Sequence, residues 1–206
     1  MNKKNPFKIT FLAYLVILLT LGSCVETVVF SSVMGAKISI REKTFNDTQK
    51  DWVIASKLKT MYFANGLNNF SNSADITVNE GRVLLTGVIR EPQKAKLAQE
   101  LAWKVSDVKE VIDEFQIQEK PLRPRDFSSA MIDSLITLEL RARMIGKEGL
   151  KSINYKITTV NRTVYLLGVA EDDNEMQSAL DFVAKTKGVE KVVNHLLLVN
   201  DVKRRK

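Results

Sequence analysis

The chain repeats itself, and the repeat limits what it can fold into. Asp51-Trp52-Val53-Ile54-Ala55-Ser56-Lys57-Leu58 aligns with Asp133-Ser134-Leu135-Ile136-Thr137-Leu138-Glu139-Leu140 at a spacing of 82. Further on the spacing is 81: Ile76-Thr77-Val78 aligns with Ile157-Thr158-Thr159, Val83-Leu84-Leu85-Thr86-Gly87-Val88 with Val164-Tyr165-Leu166-Leu167-Gly168-Val169, and Val108-Lys109-Glu110-Val111 with Val189-Glu190-Lys191-Val192. One deletion between the first helix and the first strand accounts for the change. Solenoid repeats run roughly 20–50 residues, so this period marks two duplicated domains.

Each repeat has the same expected order. A helix opens it, with Asp51 as a plausible N-cap and Ile54 and Leu58 at i, i+4. Strands at 75–78 and 82–88 flank Asn79-Glu80-Gly81, a hairpin turn signal. Pro92 opens a second helix, with Ala95, Ala98, Leu101, Ala102 and Val105 at helical spacing, and 111–117 reads as the last strand. The second repeat has strands near 155–160, 163–169 and 192–199 and a helix near 174–185. The prediction is an α+β fold of two tandem α-β-β-α-β domains, each a three-stranded sheet covered by two helices. The first domain spans 47–117 and the second 128–200. Residues 118–127, with Pro121 and Pro124, read as a stiff linker. Lys203-Arg204-Arg205-Lys206, within the tail 201–206, reads as a solvated basic end.

Ahead of the repeats stands the chain's one cysteine, Cys24. Lys3, Lys4 and Lys8 precede an apolar run over 9–21, followed by Leu21-Gly22-Ser23-Cys24. A basic start, a short apolar stretch and small residues define a secretory signal. The run falls short of the roughly 20 apolar residues that span a bilayer. An uncleaved N-terminal anchor is the alternative. Leu-Gly-Ser-Cys resembles the lipobox of bacterial lipoproteins. That resemblance implies cleavage of 1–23, lipidation of Cys24 and a membrane tether over 24–46. The inner-membrane retention signal of well-studied envelopes is Asp after the cysteine. Val25 stands there, which favours the outer membrane.

Composition narrows the function. The signal holds three of the 31 basic residues and no acidic one, leaving 28 against 24. A surplus of +4 suits an anionic surface but is too weak to indicate nucleic acid. No Gly-x-Ser-x-Gly elbow or Gly-x-x-x-x-Gly-Lys phosphate loop is present. His195, the one histidine, lies among Leu196, Leu197 and Leu198 and reads as structural. Glu171, Asp172, Asp173 and Glu175 suit the acidic start of a helix better than a calcium site. No catalytic constellation, cofactor or metal site is expected.

Together these motifs resemble the BON domain, whose pattern includes Asp-x-x-Ile-x-x-x-Leu/Val, a Gly/Asn-x-Val-x-Leu-x-Gly strand and a late Gly-Val-x-x-Val-x-Asn. The second repeat carries Asp133/Ile136/Leu140, Val164/Leu166/Gly168 and Gly188/Val189/Val192/Asn194. The first carries Asp51/Ile54/Leu58, Gly81/Val83/Leu85/Gly87 and Val108/Val111/Asp113, with Asp107 where the family has Gly. Lipobox and two such domains are similar to outer-membrane lipoproteins implicated in phospholipid binding and envelope integrity. The resemblance implies a lipid-anchored, periplasm-facing protein whose partners are an anionic phospholipid surface and envelope proteins.

The two repeats differ in their first helix. In the second repeat Ile132, Ile136, Leu140 and Met144 form one apolar side, and Met131, Leu135, Leu138, Ala142 and Ile145 a second, with Arg141 and Arg143 beside it. The first repeat has the more polar Gln49, Val53, Ser56, Thr60 and Phe63 there. A helix apolar on two sides buries both or binds with one. The resemblance implies that this helix contacts phospholipid, which selects Leu135, Leu138, Arg141, Ala142, Arg143 and Ile145. Leu135 stands near an interfacial tryptophan of the relatives. The open alternative is that the second stripe packs on the first domain or on a protein partner. Trp52 reads as a second membrane-edge contact or as a partly buried residue.

Overall fold

The computed structural model describes residues 45–69, 72–120 and 123–205. Cys24, the expected signal and the expected tether up to residue 44 lie outside the described residues; the last two tether residues, 45 and 46, instead begin the first helix. The first domain runs α1 (Phe45–Ala64), β1 (Ser73–Asn79), β2 (Arg82–Ile89), α2 (Pro92–Trp103) and β3 (Glu110–Ile117). The second runs α3 (Pro124–Met144), β4 (Tyr155–Val160), β5 (Thr163–Ala170), α4 (Asp173–Ala184) and β6 (Lys191–Leu198), with short 3-10 turns at Ser152–Asn154 and Val202–Arg205. The sheets are β1-β2-β3 and β4-β5-β6. The first pair of each is antiparallel and joined by a tight turn. The second pair is parallel, as its helical crossover requires.

The central strands explain the layering. β2 and β5 are buried along almost their whole length, so both read as continuous apolar runs. Val83 and Leu85 face Ile54, Leu58 and Tyr62 of α1 and Ala98 and Leu101 of α2. Val164 and Leu166 face Ile136, Leu140 and Met144 of α3 and Ala179 and Val183 of α4. Alternate residues point the other way: Leu84, Tyr165 and Leu167 form a third cluster, with Ile112, Val160 and Val193 packed against it. Each sheet therefore carries helices on one face and the other domain's sheet on the other. Both domains belong to one compact unit.

Asp51 does not cap its helix, which begins upstream at Phe45. Its carboxylate accepts from the Glu80 and Gly81 N–H groups at 2.8 and 2.9 Å. Asp133 does the same to Asn161 and Arg162 at 2.7 and 2.8 Å. Both central residues of each turn have positive φ, +56° and +79° in the first and +46° and +60° in the second. That geometry matches the right-handed twist of a hairpin.

The expected linker is shorter than the sequence suggested. Pro124 is the first residue of α3 rather than a linker residue, because proline's missing N–H costs nothing there. Asp126 accepts from the Arg123 N–H at 3.0 Å and pairs with Arg90 of the first domain at 3.1 Å. These contacts, the Arg123 N–H first, hold its carboxyl below the usual carboxylate range. The tail is not wholly a free end either. Arg204 forms a two-pronged contact with Glu80 of the first domain at 2.8 and 2.9 Å, and both side chains are largely buried.

Candidate functional site

The candidate site is the outer side of α3. Its core stripe behaves as the spacing predicts, with Ile136, Leu140 and Met144 buried. Ile132, assigned to that stripe, lies at its exposed edge. The second stripe is open: Met131, Leu135, Leu138 and Ile145 are each about three-fifths to two-thirds exposed, with Phe127 one turn before them and Ala142 among them.

The stripe does not pack on the first domain. The sheets make that contact instead. His195 Nε2 lies 2.9 Å from Glu114, Arg82 donates to the His195 carbonyl at 2.9 Å, and Asn161 donates to Gln116 at 2.7 Å. His195 is thus an edge-strand residue at the domain junction. The two arginines assigned to lipid charge are already engaged. Arg141 donates to the Ile157 carbonyl at 2.7 Å. Arg143 pairs with Glu139 at 2.9 Å and lies 5.2 Å over the Phe182 ring. They remain positive, but their donors are partly spent inside the fold.

Beside α3 runs a groove of about 1030 Å³. Phe127, Leu138 and Arg141 line one side, Ser73 and Arg90 the other, with Thr159 between. A 3.2 Å hydrogen bond from Thr158 to Asp75 joins the edge strands β1 and β4 there. Sequence reasoning missed this groove because it arises only when two sheets stack.

The acidic cluster has a structural role. Asp172 caps α4 by accepting from the Glu175 N–H at 2.8 Å, and Glu175 accepts from the Lys151 and Glu171 N–H groups at 2.6 and 2.8 Å. Among the described residues no group of three His, Cys, Asp or Glu side chains is placed to hold a metal ion, and no helix is long and apolar enough to cross a membrane.

The BON domain model matches residues 50–119 and 132–200. The chain belongs to the BON-domain family, as two tandem domains. It is 37% identical, over 75% of its length and 99% of the relative's, to an uncharacterized protein of the gshII 5′ region of Anaplasma centrale. It is 25% identical, over 84% of its length and 87% of the relative's, to the outer membrane lipoprotein DolP of Haemophilus influenzae. Among solved structures, the C-terminal domain of CdsD, a structural protein of the Chlamydia trachomatis type III secretion system, aligns at 13% identity and a TM-score of 0.30, over 69% of this chain and 96% of that one.

Proposed function

We propose that this protein is a non-enzymatic lipoprotein of the bacterial outer membrane. Acylated Cys24 anchors it facing the periplasm, and α3 of its second domain contacts anionic phospholipid in support of envelope integrity. The similarity to DolP and the lipobox-like Leu21-Gly22-Ser23-Cys24 support the placement. The observation that carries the lipid contact is the open stripe of Leu135, Leu138, Ala142 and Ile145 with Arg141 and Arg143 beside it. Buried apolar area and nearby cations are what hold a helix at an anionic interface. The anchor keeps the domain at high local concentration, so α3 need not bind tightly.

Two measurements test this. Mass spectrometry of the mature N-terminus should find an acylated Cys24, and an intact Met1 would sink the anchor. A Leu135→Trp reporter in a Trp52→Phe/Trp103→Phe background should be quenched by brominated phosphatidylglycerol vesicles. Unquenched emission would remove the lipid reading of α3. The groove beside α3 supports a second reading, an envelope-protein scaffold. Photo-crosslinking from Thr159 in cells would yield a discrete protein adduct on that reading and none on the first.

A further inference from the structure

The outer surface of α1 and α2, in the first domain, has no role in the reading above. Trp52, Phe63 and Trp103 are 70, 78 and 56% exposed there. Such large aromatic side chains are normally well covered, so three on one helical layer form an unusual surface. On α1, Trp52, Lys59 and Phe63 stand at i, i+7 and i+11, within about 20° of one line along the helix. They lie away from the buried Ile54, Leu58 and Tyr62. Exposed Lys50 and Lys57 stand about 140–160° around the helix from Trp52, at the far edge of its exposed face, and α2 ends in exposed Trp103 and Lys104.

Charge separates this layer from its counterpart. Exposed Lys50, Lys57, Lys59, Lys96 and Lys104 outnumber exposed Glu91 and Glu100. In the second domain exposed Arg141, Arg143 and Lys185 are matched by exposed Glu139, Asp173 and Asp181, and the two arginines are tied to the Ile157 carbonyl and Glu139. Aromatics and surplus positive charge coincide on the first domain. Tryptophan favours the headgroup level of a bilayer, and lysine stems snorkel so that the ammonium reaches the phosphates.

We propose that the α1–α2 layer of the first domain docks on an anionic bilayer surface, with Trp52, Phe63 and Trp103 at the headgroup boundary and the lysines over the lipid phosphates. This contact is on a different domain from the α3 stripe, so each stands if the other fails.

The chain supplies its own reporter. Trp52 and Trp103 are its two tryptophans, so native emission reads this layer and is blind to α3. The acylated full-length protein is placed in phosphatidylglycerol or phosphatidylcholine vesicles containing brominated chains. In the anionic vesicles the emission should shift to the blue and be quenched; in the neutral ones it should stay close to that of the free protein. Lys57→Glu with Lys59→Glu should return the emission toward that value, each lysine near the leaflet contributing roughly fivefold in partition. Both lysines are exposed, and circular dichroism checks that the variant folds. Unshifted, unquenched emission in phosphatidylglycerol overturns the proposal. So does equal quenching in both lipids, which removes the charge recognition. A blue shift that grows with protein concentration without lipid also overturns it, by identifying a second copy as the occupant. Leu135→Glu should leave the native tryptophan signal at least as strong, which separates this contact from that of α3.

Discussion

Asp51 and Asp133 each spend both carboxylate oxygens on the backbone of a hairpin turn about thirty residues away. Each turn holds a non-glycine residue at positive φ, Glu80 in one and Asn161 and Arg162 in the other. The carboxylate compensates a conformation that costs L-residues about 1–2 kcal/mol each. Asp133→Ala removes two charge-assisted bonds and should destabilise the protein by about 2–4 kcal/mol in a urea titration. Asp133→Asn, which keeps one acceptor, should cost less. Gly87 and Gly168 answer a different need. A Cβ on Gly87 would stand 1.7 Å from the Ser73 carbonyl oxygen, and one on Gly168 2.2 Å from that of Asn154. Gly168→Ala should therefore cost at least about 3 kcal/mol or prevent folding, measured by denaturant midpoint. Asp126 adds a dependence on acid pH. Its carboxyl is held below the ordinary range, so its stabilisation is complete at neutral pH and is lost as pH falls through the depressed value. Asp126→Asn should flatten the fall in melting temperature below the ordinary carboxylate range, under about pH 4, and an unchanged acid limb would refute that assignment.

The elements were legible wherever their signal was local. The order helix, strand, strand, helix, strand follows from periodicity, and the observed bounds differ by a few residues except at the start of α1, which lies seven residues ahead of the start that an Asp51 cap implies. Most of what sequence reasoning misassigned depended on distant partners. Asp51 looks like a cap because the turn it serves is far along the chain. Pro124 looks like a linker proline because proline suits a loop as well as the first turn of a helix. Arg141 and Arg143 look available for lipid because Ile157 and Phe182 reach them only after folding. The second stripe of α3 was visible as surplus, but what covers the sheets was not. The unbroken runs of β2 and β5 did carry that information, since a strand apolar on both faces must be covered on both. At this scale the Arg90–Asp126 pair couples the end of β2 to the start of α3. Arg90→Ala should raise amide exchange in the first turn of α3 while leaving α4 protected. Equal protection in both would show that the pair is dispensable.

The whole molecule is joined through its sheets and closed by its tail. Leu84, Tyr165 and Leu167 form a shared core, and Arg204 reaches back to Glu80. The two domains should therefore unfold in one thermal transition. Leu84→Ala, at a cost of about 2–5 kcal/mol, should split it into two. Sheet stacking also turns the helical layers outward on opposite sides, α1 and α2 on one and α3 and α4 on the other. A single flat bilayer meets one layer at a time, whereas two apposed surfaces can meet both. If both layers engage anionic lipid, the protein bridges vesicles. Added to phosphatidylglycerol vesicles, it should raise light scattering through clustering, and high salt should weaken the effect by screening the lysines. Leu135→Glu and Lys57→Glu/Lys59→Glu should each abolish clustering while leaving the protein bound through its other layer, read by co-sedimentation. Clustering that survives both sets of substitutions together would mean that neither layer is the bridge.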